Sequence, residues 1–133
     1  MFVDASAIVA ILLQEPGFEQ LAERLRVCPR ALTSGIAIYE AVLAVARQRA
    51  SFDEAETAVW TFVQSAGIEF GPIAEGETRA ALTAFMRYGK GRGHPARRNL
   101  GDCFAYACAR TGGVPLLFVG DDFSHTDIPS ALA

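Results

Sequence analysis

Short apolar runs alternate along the chain with longer segments of helical period. Met1-Phe2-Val3 opens as a short buried strand. Ala5 to Leu13 follows as a helix, halted near Pro16-Gly17, and Phe18 to Arg26 forms a second helix. Ala31-Leu32-Thr33 reads as a short strand, after which Ser34 caps a helix running from Gly35 to about Ala50. Ser51, with Glu54 three residues on, makes a capping box that opens a helix ending near Ser65. Gly67 to Phe70 is a further strand. Ala74 to Tyr88 is helical, with Leu82, Phe85 and Met86 on one face. The pattern breaks from Gly89 to Arg98. Asn99 then caps a helix from Leu100 to about Thr111, which Gly112-Gly113 ends. Val114 to Val119 is a buried strand, and the remainder to Ala133 is mostly turn, with room for one short strand.

Each short strand feeds a helix. That order predicts an α/β fold, a small twisted parallel β-sheet flanked by helices on both faces. The 133 residues suit a single domain, 1–133. Hydrophobic residues make up 51%, enough for a sizeable core, and charged residues only 20%, which excludes gross disorder. A net charge of -3 excludes a globally basic nucleic-acid coat protein, though not a local basic patch. No apolar run approaches the ~18 residues of a membrane span. Met1-Phe2-Val3-Asp4 carries no cationic leader, so no membrane association and a cytoplasmic location are expected. Cys28, Cys103 and Cys108 lack zinc spacing and read as buried small hydrophobes.

The chemistry lies in carboxylates at apolar positions. Asp4 follows the first strand, and Asp121 and Asp122 follow the strand Leu116–Val119. In an open parallel sheet, ligands collect at the carboxyl ends of strands. Asp102 is the third residue of a helix whose following residues are nearly all apolar (Cys103, Phe104, Ala105, Tyr106). It can serve as capping-box partner of Asn99 or point into a cleft. Glu40 sits mid-helix, on the margin of an apolar arc formed by Ile36, Tyr39, Val42 and Leu43. Asp127, five residues beyond Asp122, is a further candidate. Converging carboxylates repel one another and raise each other's pKa, a penalty that a hard divalent cation removes. Oxygen-only ligands favour Mg²⁺ or Mn²⁺ over zinc.

Arg87 to Arg98 holds five of the twelve basic residues, among them Lys90, Arg92, Arg97 and Arg98, and immediately precedes Asp102. A basic rim beside an acidic metal site suits a polyanionic substrate. Ser6, two residues after Asp4, can cap the helix, orient Asp4 or meet a phosphate. His94 and His125 belong to no recognisable nucleophile pair.

Taken together, Phe2-Val3-Asp4-Ala5-Ser6, Glu40 within Ile38-Tyr39-Glu40, Asn99-Leu100-Gly101-Asp102-Cys103 and Val119-Gly120-Asp121-Asp122-Phe123 resemble the PIN-domain family, and within it the VapC-type toxins of toxin–antitoxin pairs. The resemblance spans essentially the whole chain. It implies a PIN-like three-layer sandwich and a Mg²⁺- or Mn²⁺-dependent endoribonuclease. Asp4, Glu40, Asp102 and Asp122 would form the catalytic site. Asp4, Asp102 and Asp122, or Asp121 in its place, would hold the metal. Asp122 is the better match to the family's fourth acid. Ser6, Lys90, Arg92, Arg97 and Arg98 would bind substrate. The implied reaction is in-line attack of metal-activated water on an RNA phosphodiester, leaving a 5′-phosphate and a 3′-hydroxyl.

The resemblance further implies a small cognate antitoxin whose C-terminal segment fills a groove, and a homodimer. Ile8, Leu12, Leu13, Phe18 and Leu21 are candidate antitoxin contacts, though they equally suit ordinary core. Two other readings stay open: a non-catalytic PIN-like module that binds RNA or protein, and a DNA-directed nuclease of the same fold. A phosphoacceptor receiver needs a lysine after the last strand, whereas the chain's lysine, Lys90, precedes a helix. A haloacid-dehalogenase-like phosphatase needs a second aspartate two residues after the first, where Ser6 stands.

Overall fold

The computed structural model describes residues 1–49, 51–89 and 99–133. Among them lie β1 (Phe2–Val3), α1 (Ala5–Leu12), α2 (Phe18–Arg26), β2 (Leu32–Thr33) and α3 (Gly35–Ala46). These are followed by α4 (Phe52–Ser65), β3 (Glu69–Phe70), α5 (Glu75–Tyr88), α6 (Leu100–Gly112) and β4 (Leu116–Leu117). The four strands form one parallel sheet in the order β3-β2-β1-β4. Two successive crossovers therefore step one way from β1, and the third returns to its other side.

Alternation along β1 and β4 sends neighbouring side chains to opposite faces. Val3 and Leu117 join one apolar cluster with α1 to α4, built on Ile8, Leu21, Ile38, Val45 and Val59. Phe2 and Leu116 join another with α5 and α6, built on Ala81, Ala84, Tyr88, Ala105 and Tyr106. The expected parallel sheet with helices on both faces is thus the observed architecture.

The helix caps fall where the sequence predicts, although among the described residues only the Ser51 half of the expected Ser51–Glu54 capping box is formed. Ser34 Oγ accepts the Ala37 N–H, and Ser51 Oγ accepts the Glu54 N–H. Asn99 and Asp102 form a reciprocal capping box at the start of α6. Gly113, at φ +64°, closes that helix in the left-handed region that disfavours side chains.

Three expectations are corrected, and the structure adds which face of α5 is buried. α3 stops at Ala46, short of Ala50, where the apolar run gives way to Arg47, Gln48 and Arg49, all exposed and with little to bury. The last strand is Leu116–Leu117 rather than Val114–Val119, since β1 presents only two residues for it to pair with. The C-terminal strand is a single parallel bridge, Leu116 to Ser130. On α5, Leu82, Phe85 and Met86 are exposed; the helix buries Ala81, Ala84 and Tyr88, and the small alanines let it lie close on α6.

Candidate active site

The strand order reverses between β1 and β4, the place where open parallel sheets form a crevice at their carboxyl ends. A cleft of about 540 Å³ opens there. Asp4 enters it from the end of β1, Glu40 from α3, Asp102 from the first turn of α6, and Asp122 from the segment after β4.

Asp4 is buried and also caps α1. Its Oδ2 accepts the Ser6 N–H at 3.0 Å and the Ser6 hydroxyl at 2.5 Å. The Ser6 oxygen in turn accepts the Val119 N–H at 3.0 Å. Ser6 therefore ties the end of β1 to the chain leaving β4. Its hydroxyl is engaged in orienting Asp4, one of the roles read from the sequence. Burial raises the Asp4 pKa; the hydrogen bonds from Ser6 oppose the rise, and the charge of Asp122 adds to it.

Glu40 is half-buried. Burial raises its pKa to about 7, and the charges of Asp4 and Asp102 push in the same direction. The buried face of α3 is Ala37, Ile38, Ala41, Val42 and Val45, which leaves Glu40 outside it, facing the cleft. The arc of Ile36, Tyr39, Val42 and Leu43 is therefore not the core face. A helix this uniformly apolar carries two competing stripes, and only packing chooses between them.

The Asp102 carboxylate accepts the Asn99 N–H at 3.3 Å, and the Asn99 side chain accepts the Asp102 N–H at 2.9 Å. Asp102 thus takes both parts considered for it, capping partner and cleft residue. Both Asp121 and Asp122 are exposed, but Asp122 lines the cleft whereas Asp121 lies off its wall, its carbonyl accepting the Ser124 N–H. Asp127 is not among the residues that line the cleft. It accepts hydrogen bonds from the hydroxyls of Tyr106 and Tyr88 and pairs with Arg110, pinning the C-terminal segment to α5 and α6. Lys90, Arg92, Arg97 and Arg98 lie outside the described residues.

Two residues escape sequence reasoning. Arg47 lines the cleft on the same face of α3 as Glu40, seven positions on, so helical spacing could have signalled it. Gly101 packs against the Glu40 carboxylate, which no local pattern announces. Of the proposed antitoxin contacts, Ile8 and Leu21 are core residues instead. Exposed apolar surface is found in a groove between α3, α4 and β3, lined by Tyr39, Phe52, Trp60 and Phe70.

Among the described residues, no three Asp, Glu, His or Cys side chains stand close enough to chelate an ion in their present rotamers. The donor set nonetheless fits a hard cation. All four groups offer oxygen, and the upward shifts at Asp4 and Glu40 record crowded negative charge as well as burial, which a cation would offset.

Comparison with known proteins identifies relatives of this chain and of its fold. The PIN domain family profile matches residues 1–129. A VapC ribonuclease of Rhizobium meliloti is 43% identical, over 96% of this chain and 98% of its own length. Ribonuclease VapC42 of Mycobacterium tuberculosis is also 43% identical, covering 98% of each chain. In three dimensions, the Mycobacterium tuberculosis toxin VapC20, described as cleaving the sarcin-ricin loop, superposes with a TM-score of 0.73. It is 19% identical, over 96% of this chain and 95% of that one. The chain belongs to the PIN-domain family, and within it to the VapC ribonucleases.

Proposed function

We propose that this chain is a divalent-metal-dependent endoribonuclease, the toxin of a toxin–antitoxin pair, with Asp4, Glu40, Asp102 and Asp122 as its active site. The observation that carries this reading is their convergence. Four carboxylates from four separate parts of the chain line one cleft at the reversal of strand order. Near-full-length relatives named as ribonucleases support the reaction class.

Asp4, Asp102 and Asp122 would hold Mg²⁺ or Mn²⁺, and Asp122 is preferred to Asp121 because it lines the cleft. When bound, the ion supplies charge neutralisation and activation of water for attack on a phosphodiester. Ser6 fixes Asp4 and so fixes the edge of the site. Glu40, facing the same cleft, would help to hold or orient the metal and its water, and its raised pKa suits it to exchange a proton there. Arg47 offers a cation for an RNA phosphate, joined in this reading by Lys90, Arg92, Arg97 and Arg98.

The partner is a small antitoxin. The groove of Tyr39, Phe52, Trp60 and Phe70 is the apolar surface offered to it, and Tyr39 and Leu43 belong to both groove and cleft. The chain acts as a single domain over 1–133, in the cytoplasm, and as a homodimer.

A cleavage assay tests the reading. The purified chain, free of any partner, is incubated with total RNA and with single-stranded DNA, in Mg²⁺, Mn²⁺ or EDTA. Discrete RNA fragments that need metal and vanish in Asp4→Asn and Asp102→Asn are expected. Preferential DNA cleavage would instead identify a DNA-directed nuclease. RNA binding indifferent to metal and to both substitutions would identify a binding module.

A further inference from the structure

Gly101 is the second residue of α6, and it is buried between Leu100 and Asp102. Its φ is not in the left-handed region, so backbone freedom does not account for a glycine there. Space does. A Cβ built on Gly101 would lie well under 3.0 Å from Oε1, Oε2 and Cδ of Glu40. Non-bonded heavy atoms do not approach so closely; carbon pairs settle at roughly 3.5–4.0 Å. The Glu40 carboxylate therefore stands where a side chain at position 101 would be.

We propose that Gly101 is a positioning residue: its missing side chain is the seat that holds the Glu40 carboxylate against the first turn of α6, within the carboxylate cleft. The functional part of this inference rests on the reading of that cleft as a metal-dependent active site. The seat joins two elements, since Glu40 comes from α3 and Asp102 from α6. The first turn of a helix favours an anion, which adds a reason for the carboxylate to settle there. The conflict that alanine creates is with the far end of an unbranched side chain, not with backbone. Relief comes from Glu40 swinging into the open cleft, so the effect falls on the site and leaves the fold in place.

The test is a double-mutant cycle of Gly101→Ala and Glu40→Ala in the full chain, read by Mn²⁺ titration calorimetry and by thermal melting without metal. Gly101→Ala is expected to weaken Mn²⁺ binding by about tenfold or more, the range typical of residues that orient a ligand. Glu40→Ala should do the same, and the double variant should bind no more weakly than either single one. The change in Tm caused by Gly101→Ala should differ between the two backgrounds by about 2 °C or more, because Glu40→Ala clears the space that the added methyl needs. Wild-type Mn²⁺ affinity in Gly101→Ala, or an additive melting cycle, would overturn the seat. If the unmodified chain binds no Mn²⁺, the metal reading fails, and the melting cycle by itself decides whether Gly101 seats Glu40.

Discussion

Asp4 has two duties that ordinarily conflict. As the cap of α1 it belongs to the fold, and as a buried carboxylate sharing a cleft with three others it works against the fold. Its pKa is raised despite two hydrogen bonds from Ser6, so desolvation outweighs them. Asparagine caps helices about as well as aspartate and carries no charge. Asp4→Asn is therefore expected to abolish RNA cleavage without lowering Tm in metal-free buffer. A fall of several degrees would make Asp4 chiefly a structural residue. Glu40 gives a complementary pH signature. Its pKa rises from 4.5 unfolded to about 7 folded, so between those values the folded chain binds more protons than the unfolded one. Stability contributed by protonated Glu40 is thus present below about pH 4.5 and is lost as pH rises through about 7. Metal-free melting across that window should show a downward slope that Glu40→Gln flattens. An unchanged slope in the variant would place the responsible group elsewhere.

At the scale of elements, the start of α6 carries both structure and chemistry, and the two are separable. The Asn99 side chain accepts the Asp102 N–H, whereas the Asp102 carboxylate accepts the Asn99 backbone N–H. Asn99→Ala removes only the first bond. It should cost about 1 kcal/mol by chemical denaturation while leaving cleavage largely intact. Asp102→Asn keeps an oxygen for the second bond, so it should leave stability nearly unchanged and remove cleavage. The reverse pattern would show that the box, rather than the charge, is what the site needs. This element was legible in sequence because Asn99, Asp102 and Gly113 are local signals with local partners. Asp4 was legible for a similar reason, being the first polar residue after a buried strand. The orientation of α3 was not. Ile36, Ile38, Tyr39, Val42, Leu43 and Val45 form no single stripe, and the choice among them is made by α1, α4 and the sheet. The outward face of α5 was hidden likewise, since the alanines that pack it on α6 look unremarkable beside Leu82, Phe85 and Met86. The contact of Gly101 with Glu40 joins residues far apart in sequence and has no local trace.

At the scale of the whole molecule, the cleft is a junction. Its carboxylates come from the end of the first strand, a helix packed on one face of the sheet, a helix packed on the other, and the segment after the last strand. An ion held among them would link both apolar clusters to the centre of the sheet, so that unfolding either face would disperse its ligands. Binding to the native state alone then adds to global stability by mass action, about 2.7 kcal/mol at a hundredfold excess over Kd. In a chain of this size that amounts to several degrees in Tm. Millimolar Mn²⁺ should therefore raise the melting temperature of the unmodified chain in one cooperative transition. The rise should shrink in Asp4→Asn and in Asp102→Asn, and raising NaCl to the same ionic strength should not reproduce it. General screening of a net charge of -3 would predict the opposite: NaCl would match Mn²⁺, and both variants would respond as the unmodified chain does. The two accounts thus diverge on one melting plate, and a salt-matched rise indifferent to both aspartates would refute the cleft as a metal-binding junction.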